Sequence, residues 1–202
     1  MNDEGARFEF RAFARDLGIT EARMRERSPE VRIKESAEVY LLSASLERHN
    51  LKVRGDALDI KELLAEQDGL EQWTPTLKES FPLDRELLKE RVAPLLELDT
   101  SLFSREQYSA EALVEELIRP QPGLVPAVVF KTRFGFLIDE CACEIADVRV
   151  NGAYIRTACV ESTDPDAVQR LVRELHLDPW PNTSYLLALQ QITGLVPVAL
   201  PF

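Results

Sequence analysis

Charged side chains alternate with apolar ones in several short runs, and a two-residue period confines such runs to β-strands. Arg7, Glu9 and Arg11 alternate with Phe8, Phe10 and Ala12. Lys52 and Arg54 alternate with Leu51 and Val53, and Lys131 and Arg133 alternate with Phe130 and Thr132. Each charged set therefore shares one face of its strand. A single run of this kind describes a half-solvated sheet. Its recurrence on strands far apart in the chain favours a shared, charge-lined cavity.

At 202 residues the chain is long enough to bury a sizeable core, and it reads as a single domain over 1–202. It carries 24 basic and 35 acidic residues, for a net charge of −11. That balance argues against general nucleic-acid binding, which needs an electropositive footprint. On so acidic a protein, local clusters of Lys and Arg point to a specific small anion. No apolar run approaches the roughly 20 residues of a membrane-spanning helix. The start, MNDEGARFEF, lacks the apolar stretch of a signal peptide, so cytoplasmic residence is expected. The three cysteines include a C-x-C at Cys141 and Cys143, read as buried strand residues. With only His49 and His176 as imidazoles, no zinc pattern emerges. Tyr40, Trp73 and Trp180 are read as packing residues.

The first strand is expected over Ala6–Phe13, followed by a helix in GITEARMRERSPE capped by Thr20 and stopped by Pro29. An extended segment starts at Glu38. A hairpin turns at Gly55-Asp56, and a strand over Gln72–Phe81 has an edge or bulge at Pro75. PLDRELLKERVAPLLEL is helical with a break at Pro94, and a second helix spans Ala110–Ile118. Strands follow over Ala127–Arg133 and Gly135–Val148, then a hairpin at Asn151-Gly152 and a strand over Tyr154–Glu161. Two helices close the chain, Asp164–Leu175 and Asn182–Ile192, the latter capped by Asn182 or Thr183. The fold class is α+β: an antiparallel β-barrel of about eight strands with flanking helices, able to hold one small ligand.

In their order along the chain, these strands resemble those of CYTH-domain proteins. This triphosphate tunnel metalloenzyme superfamily includes class IV-type adenylyl cyclases, thiamine triphosphatases and inorganic triphosphatases. Its first strand has the form E-x-E-x-K, matched here by Arg7-Phe8-Glu9-Phe10-Arg11. Paired basic residues recur in Leu51-Lys52-Val53-Arg54, in Leu58-Asp59-Ile60-Lys61 and in Phe130-Lys131-Thr132-Arg133. Acidic residues follow in Cys143-Glu144-Ile145-Ala146-Asp147 and in Cys159-Val160-Glu161.

The resemblance implies that Arg11, Lys52, Arg54, Lys61, Lys131 and Arg133 bind a triphosphate, nucleotide or other organic polyphosphate. Such an anion carries roughly four negative charges and needs several converging cations. It also implies that Glu9, Glu144, Asp147 and Glu161 hold Mg²⁺ or Mn²⁺, and it allows a homodimer. The chain departs from the motif on the metal side. Arg7 and Cys159 stand where glutamates belong, and a thiol is a poor ligand for hard Mg²⁺. Two functions remain open: a metal-dependent polyphosphate hydrolase, or a non-catalytic anion- or nucleotide-binding module. A third, weaker reading is an interaction barrel with a salt-bridged face.

Overall fold

The computed structural model describes residues 5–199, so the first four residues of the acidic N-terminus lie outside it. The elements begin with β1 (Arg7–Ala14), α1 (Gly18–Arg27), β2 (Arg32–Ser43), β3 (His49–Arg54), β4 (Ala57–Gln67) and β5 (Leu70–Ser80). An excursion follows: β6 (Leu83–Asp84), α2 (Arg85–Arg91), α3 (Ala93–Leu96), β7 (Gln107–Tyr108) and α4 (Ala110–Ala112), which runs on as a π-helical turn over Leu113–Ile118. Then come β8 (Leu124–Ile138), β9 (Cys141–Val150), β10 (Ala153–Ser162), α5 (Pro165–Glu174) and α6 (Tyr185–Ile192).

Eight strands close into an antiparallel barrel in the order β1-β10-β9-β8-β2-β3-β4-β5. The seam returns to β1 where Arg7–Glu9 pair with Trp73–Glu71. Pro75 lies beyond that short seam and opposite Lys61, beside a register shift in β4. A residue without a backbone N–H is tolerated there because the ladder is already interrupted.

Period-two alternation sorts every barrel strand into an inner and an outer face. Phe10, Ala12, Cys143, Ile145, Ala158 and Val160 face outward and pack under Val168, Leu171 and Val172 of α5 and Met24 of α1. On the other side Leu51, Val53, Leu58 and Ile60 pack under Leu88, Val92, Leu96, Leu113 and Leu117. Each such side chain removed from water contributes about 1.5–3 kcal/mol, so the helices clamp the barrel from outside and leave its inner face to polar groups.

One end of the interior is closed. Tyr185, Leu186 and Leu189 of α6 pack with Phe13, Tyr40 and Leu42, and Gln190 Nε2 donates 2.7 Å bonds to the carbonyls of Ser43 and Leu46. At the other end the side chains of Arg7, Glu161 and Arg54 are each about a third exposed, so the barrel opens to solvent there.

Several boundaries differ from the sequence expectation. β8 is one strand that continues past Gly135 to Ile138, and the turn falls at Asp139-Glu140, both with positive φ (47° and 65°). That geometry suits a type I′ hairpin, the same class that Asn151-Gly152 forms, but without the glycine that signals it. Thr20 is not a cap: it is buried within α1, and its hydroxyl meets the His176 carbonyl. Ser184, not Asn182 or Thr183, caps α6, accepting from the Leu187 N–H. Asn182 is used elsewhere, its Oδ1 accepting from the Arg11 N–H at 2.8 Å. Among the described residues no helix is long and apolar enough to cross a membrane.

Candidate functional site

The inner face of β2 presents Ser36, Glu38 and Tyr40, one step out of phase with the apolar Val39 and Leu41. Glu38 has no exposed surface, and three cations from two neighbouring strands converge on its carboxylate. Lys131 Nζ lies 2.9 Å and Lys52 Nζ 3.6 Å from Oε2, and Arg133 bonds Oε1. The Tyr40 hydroxyl donates to Oε2 at 3.1 Å and accepts from Lys131 Nζ at 2.6 Å. Burial alone would raise the Glu38 pKa, but Lys52, Lys131 and Arg133 together drive it far below the carboxylate range.

The same crowding works against the cations. Burial, with Arg54 and Lys61 nearby, lowers the Lys52 ammonium to about 8. Lys131, only 4% exposed, is pushed well below its usual value by burial and then by Lys52. Three basic side chains thus crowd one carboxylate, with Glu144 4.0 Å from Arg133 on the far side, in a setting where unbalanced charge is costly.

Across the interior, β1, β9 and β10 bring together Glu9, Arg11, Glu144, Cys159 and Glu161. The register pairs Arg11 with Cys159, Glu9 with Glu161 and Glu144 with Cys159. Arg11, 6% exposed, donates from Nε to Glu9 at 2.8 Å and from Nη1 to Glu144 and to the Thr157 hydroxyl at 3.4 Å each. Arg7 Nη1 reaches Glu161 at 3.4 Å. Burial acts to raise the Glu9 pKa, but Arg11 outweighs it with help from Lys61 and Lys52. Glu161 is raised by burial and by Glu9. Glu71 sits beside Glu9 with the Trp73 indole donating to it at 2.9 Å, and burial lifts its pKa to about 7.

Glu9, Cys159 and Glu161 offer ligand atoms within 4.8 Å of one another. Their chemistry does not fit Mg²⁺ or Mn²⁺. Burial pushes the Cys159 thiol well above 9, which keeps it protonated. Both flanking carboxylates are already held by guanidiniums. Hard cations select all-oxygen sites and would have to displace Arg7 and Arg11 here.

Of the residues singled out from sequence, Glu9, Arg11, Lys52, Lys61, Lys131, Arg133, Glu144 and Glu161 meet inside the barrel. Arg54 lies toward the mouth and pairs with Asp59 at 2.7 Å. Asp147 does not join them. It sits on the outer face, bonded by Arg156 Nε at 2.9 Å and the Tyr154 hydroxyl at 3.0 Å. There it lines an outer groove of about 670 Å³ with Glu35, Phe130 and Arg149. The reason is parity: Glu144 and Asp147 are three residues apart, an odd number, so one strand cannot turn both inward.

Sequence reasoning passed over Glu38 and Tyr185, and read Tyr40 only as packing. Glu38 and Tyr40 carry the same alternation as the basic strands, a legible signal. Tyr185 carries none, because a helix brings it into the barrel.

No family model matches the sequence, and no curated protein is detectably similar to it. Solved structures are similar in fold. One is a Hippeastrum protein described as a candidate adenylyl cyclase with a dominant triphosphatase activity, with a TM-score of 0.54 at 13% identity, covering 95% of this chain and 98% of that one. Another is a candidate adenylate cyclase from Bacillus halodurans, with a TM-score of 0.50 at 9% identity, covering 90% of this chain and 96% of that one. The tunnel barrel expected from the strand motifs is thus the fold this chain shares with them. Such low identity is what a barrel permits, since closure needs alternation and register more than particular side chains.

Proposed function

We propose that this chain belongs with the CYTH tunnel proteins and binds a triphosphate or an organic polyphosphate inside the barrel, as a binding module that does not depend on a divalent metal. The observation that carries the reading is the surplus of cations around Glu38. Lys52, Lys131 and Arg133 outnumber the one buried carboxylate they share, and Arg11 lies on the same Tyr185 ring as Lys131. A polyphosphate supplies the missing negative charge, and desolvated Lys and Arg donors bind its oxygens more strongly than they would at a surface. Arg54 and Lys61 extend the basic lining toward the mouth. The fold likeness to a protein with triphosphatase activity points to the same ligand class. Hydrolysis is not assigned, because the carboxylates that would hold a metal are neutralised from within by Arg7 and Arg11.

Thermal denaturation at low salt with tripolyphosphate, in EDTA and then in Mg²⁺, tests the reading. At a ligand concentration of about 100 Kd, binding adds roughly 2.7 kcal/mol, a rise of about 5–10 °C for a chain of this length. The rise is expected to be the same in EDTA and Mg²⁺, and to vanish in the double variant Arg54→Ala, Lys131→Ala. No rise at millimolar ligand would discard phosphate binding. A rise only with Mg²⁺, or magnesium-dependent phosphate release, would restore the metal-dependent enzyme.

A further inference from the structure

We propose that the Tyr185 hydroxyl donates a hydrogen bond to the innermost phosphoryl oxygen of the bound anion; the inference rests on the polyphosphate reading above. Tyr185 opens α6, directly after the Ser184 cap, and enters the barrel from its closed end. Its ring is held on several sides. Lys131 Nζ lies 3.8 Å and Arg11 Cζ 4.4 Å from the ring centre. Phe13 packs edge-on at 5.2 Å, and Tyr40 stacks at 6.0 Å. A ring so confined fixes where its hydroxyl points.

That hydroxyl is buried and, among the described residues, has no hydrogen-bond partner. Tyr40, its stacked neighbour, is fully satisfied by Glu38 and Lys131. Buried polar groups in folded proteins are nearly always paired, and an orphan calls for an explanation. Packing does not supply one, because phenylalanine would keep every ring contact, including both cation–π contacts. The charged groups that the hydroxyl feels are Arg11, Glu144, Arg133 and Glu38, and neither carboxylate accepts from it. Burial pushes the phenol pKa upward, so the group remains a donor across the accessible pH range.

A phosphoryl oxygen drawn in by Lys131, Arg11 and Arg133 would arrive beside this donor and complete its bonding. Charge-assisted O–H···O⁻ bonds of this type are among the stronger ones in proteins. Because α6 closes that end, the group reaching Tyr185 is the leading, terminal phosphoryl group of the ligand, with any organic part toward the mouth.

The conservative variant Tyr185→Phe tests this, with tripolyphosphate titrated into parent and variant by calorimetry and the ligand-free melting temperature measured alongside. Affinity is expected to fall about tenfold, the loss of one hydrogen bond to a charged acceptor. The ligand-free melting temperature is expected to stay level or rise, since an orphaned hydroxyl has been removed. Parent binding with a variant affinity within about twofold of it would overturn the role of Tyr185 and leave the polyphosphate reading standing. A weaker variant whose ligand-free form also melts lower would overturn it too, marking the loss as structural. Absence of binding by the parent would overturn the polyphosphate reading itself, and the hydroxyl's role with it.

Discussion

On the tunnel wall built by β2, β3 and β8, Lys52, Lys131 and Arg133 surround a single carboxylate, whereas on the wall of β1, β9 and β10 three carboxylates face two guanidiniums and a thiol. In the first wall basic side chains outnumber the carboxylate they share, and on the reading proposed above an anion completes it. The second is nearly balanced from within, by Arg7 and Arg11. The same barrel thus contains one wall where basic side chains crowd a single carboxylate and another where guanidiniums are paired with carboxylates. The lesson is electrostatic: a buried charge cluster must be neutralised, and whether a covalently attached group or a diffusible one does so decides whether a binding site results.

The largest expected effect breaks the first wall. Glu38→Gln leaves buried Lys131 and half-buried Lys52 and Arg133 without their carboxylate, and loss of one partner in such a cluster costs about 3–5 kcal/mol. Thermal denaturation should show a fall of roughly 10 °C, with tripolyphosphate restoring most of it and binding more tightly than to the parent. A fall of only a degree or two would mean that the cluster is not held by Glu38.

Restoring the second wall should come next in size. The double variant Arg7→Glu, Cys159→Glu removes a guanidinium and supplies hard oxygen ligands beside Glu9 and Glu161. Tripolyphosphate affinity should then become about tenfold tighter in Mg²⁺ than in EDTA, since each 1.4 kcal/mol of added interaction is a factor of ten. Equal affinities in the two buffers would show that the walls differ by more than these two residues.

A smaller effect sharpens the comparison through pH. Lys52 has a folded pKa of about 8, below its ordinary 10.5. The unfolded chain keeps that proton to higher pH, so this group makes ligand-free stability rise between pH 8 and 10.5. A bound polyanion favours the charged ammonium, so binding takes up a proton in that range and affinity falls as pH climbs above 8. Calorimetry in buffers of different ionisation enthalpy reads the uptake directly, and proton release or none would contradict the surplus-cation account.

The smallest expected effect lies at Glu71, beside the second wall. Its folded pKa of about 7 exceeds the ordinary 4.5, so the folded protein retains a proton that the unfolded chain has lost. Its contribution to stability is therefore present at low pH and lost as pH rises toward 7. Glu71→Gln should flatten that part of the profile and melt slightly higher than the parent at pH 8; an unchanged profile would place the effect elsewhere.

Alternation alone made most of this legible. That Arg11, Lys52, Lys131 and Arg133 lie on the charged faces of their strands follows from period two, and the hairpins at Gly55-Asp56 and Asn151-Gly152 follow from their turn residues. The turn at Asp139-Glu140 escaped because residues other than glycine occupy its left-handed positions. The motif groups Asp147 with Glu144 although strand parity separates them, and the run through Glu38 begins with an acid, unlike the basic pairs that mark the other strands.

What the sequence by itself determined is which side chains share a face, because that depends only on local backbone geometry. What the tertiary structure decided is which faces meet. Closure of β5 onto β1 turned separate charged faces into one interior, and α6 carried Tyr185 into its closed end. Non-local pairings of this kind are set by barrel register and helix docking, which no short stretch of sequence contains. The charge balance that separates the cation-rich wall from the paired one exists only after they form.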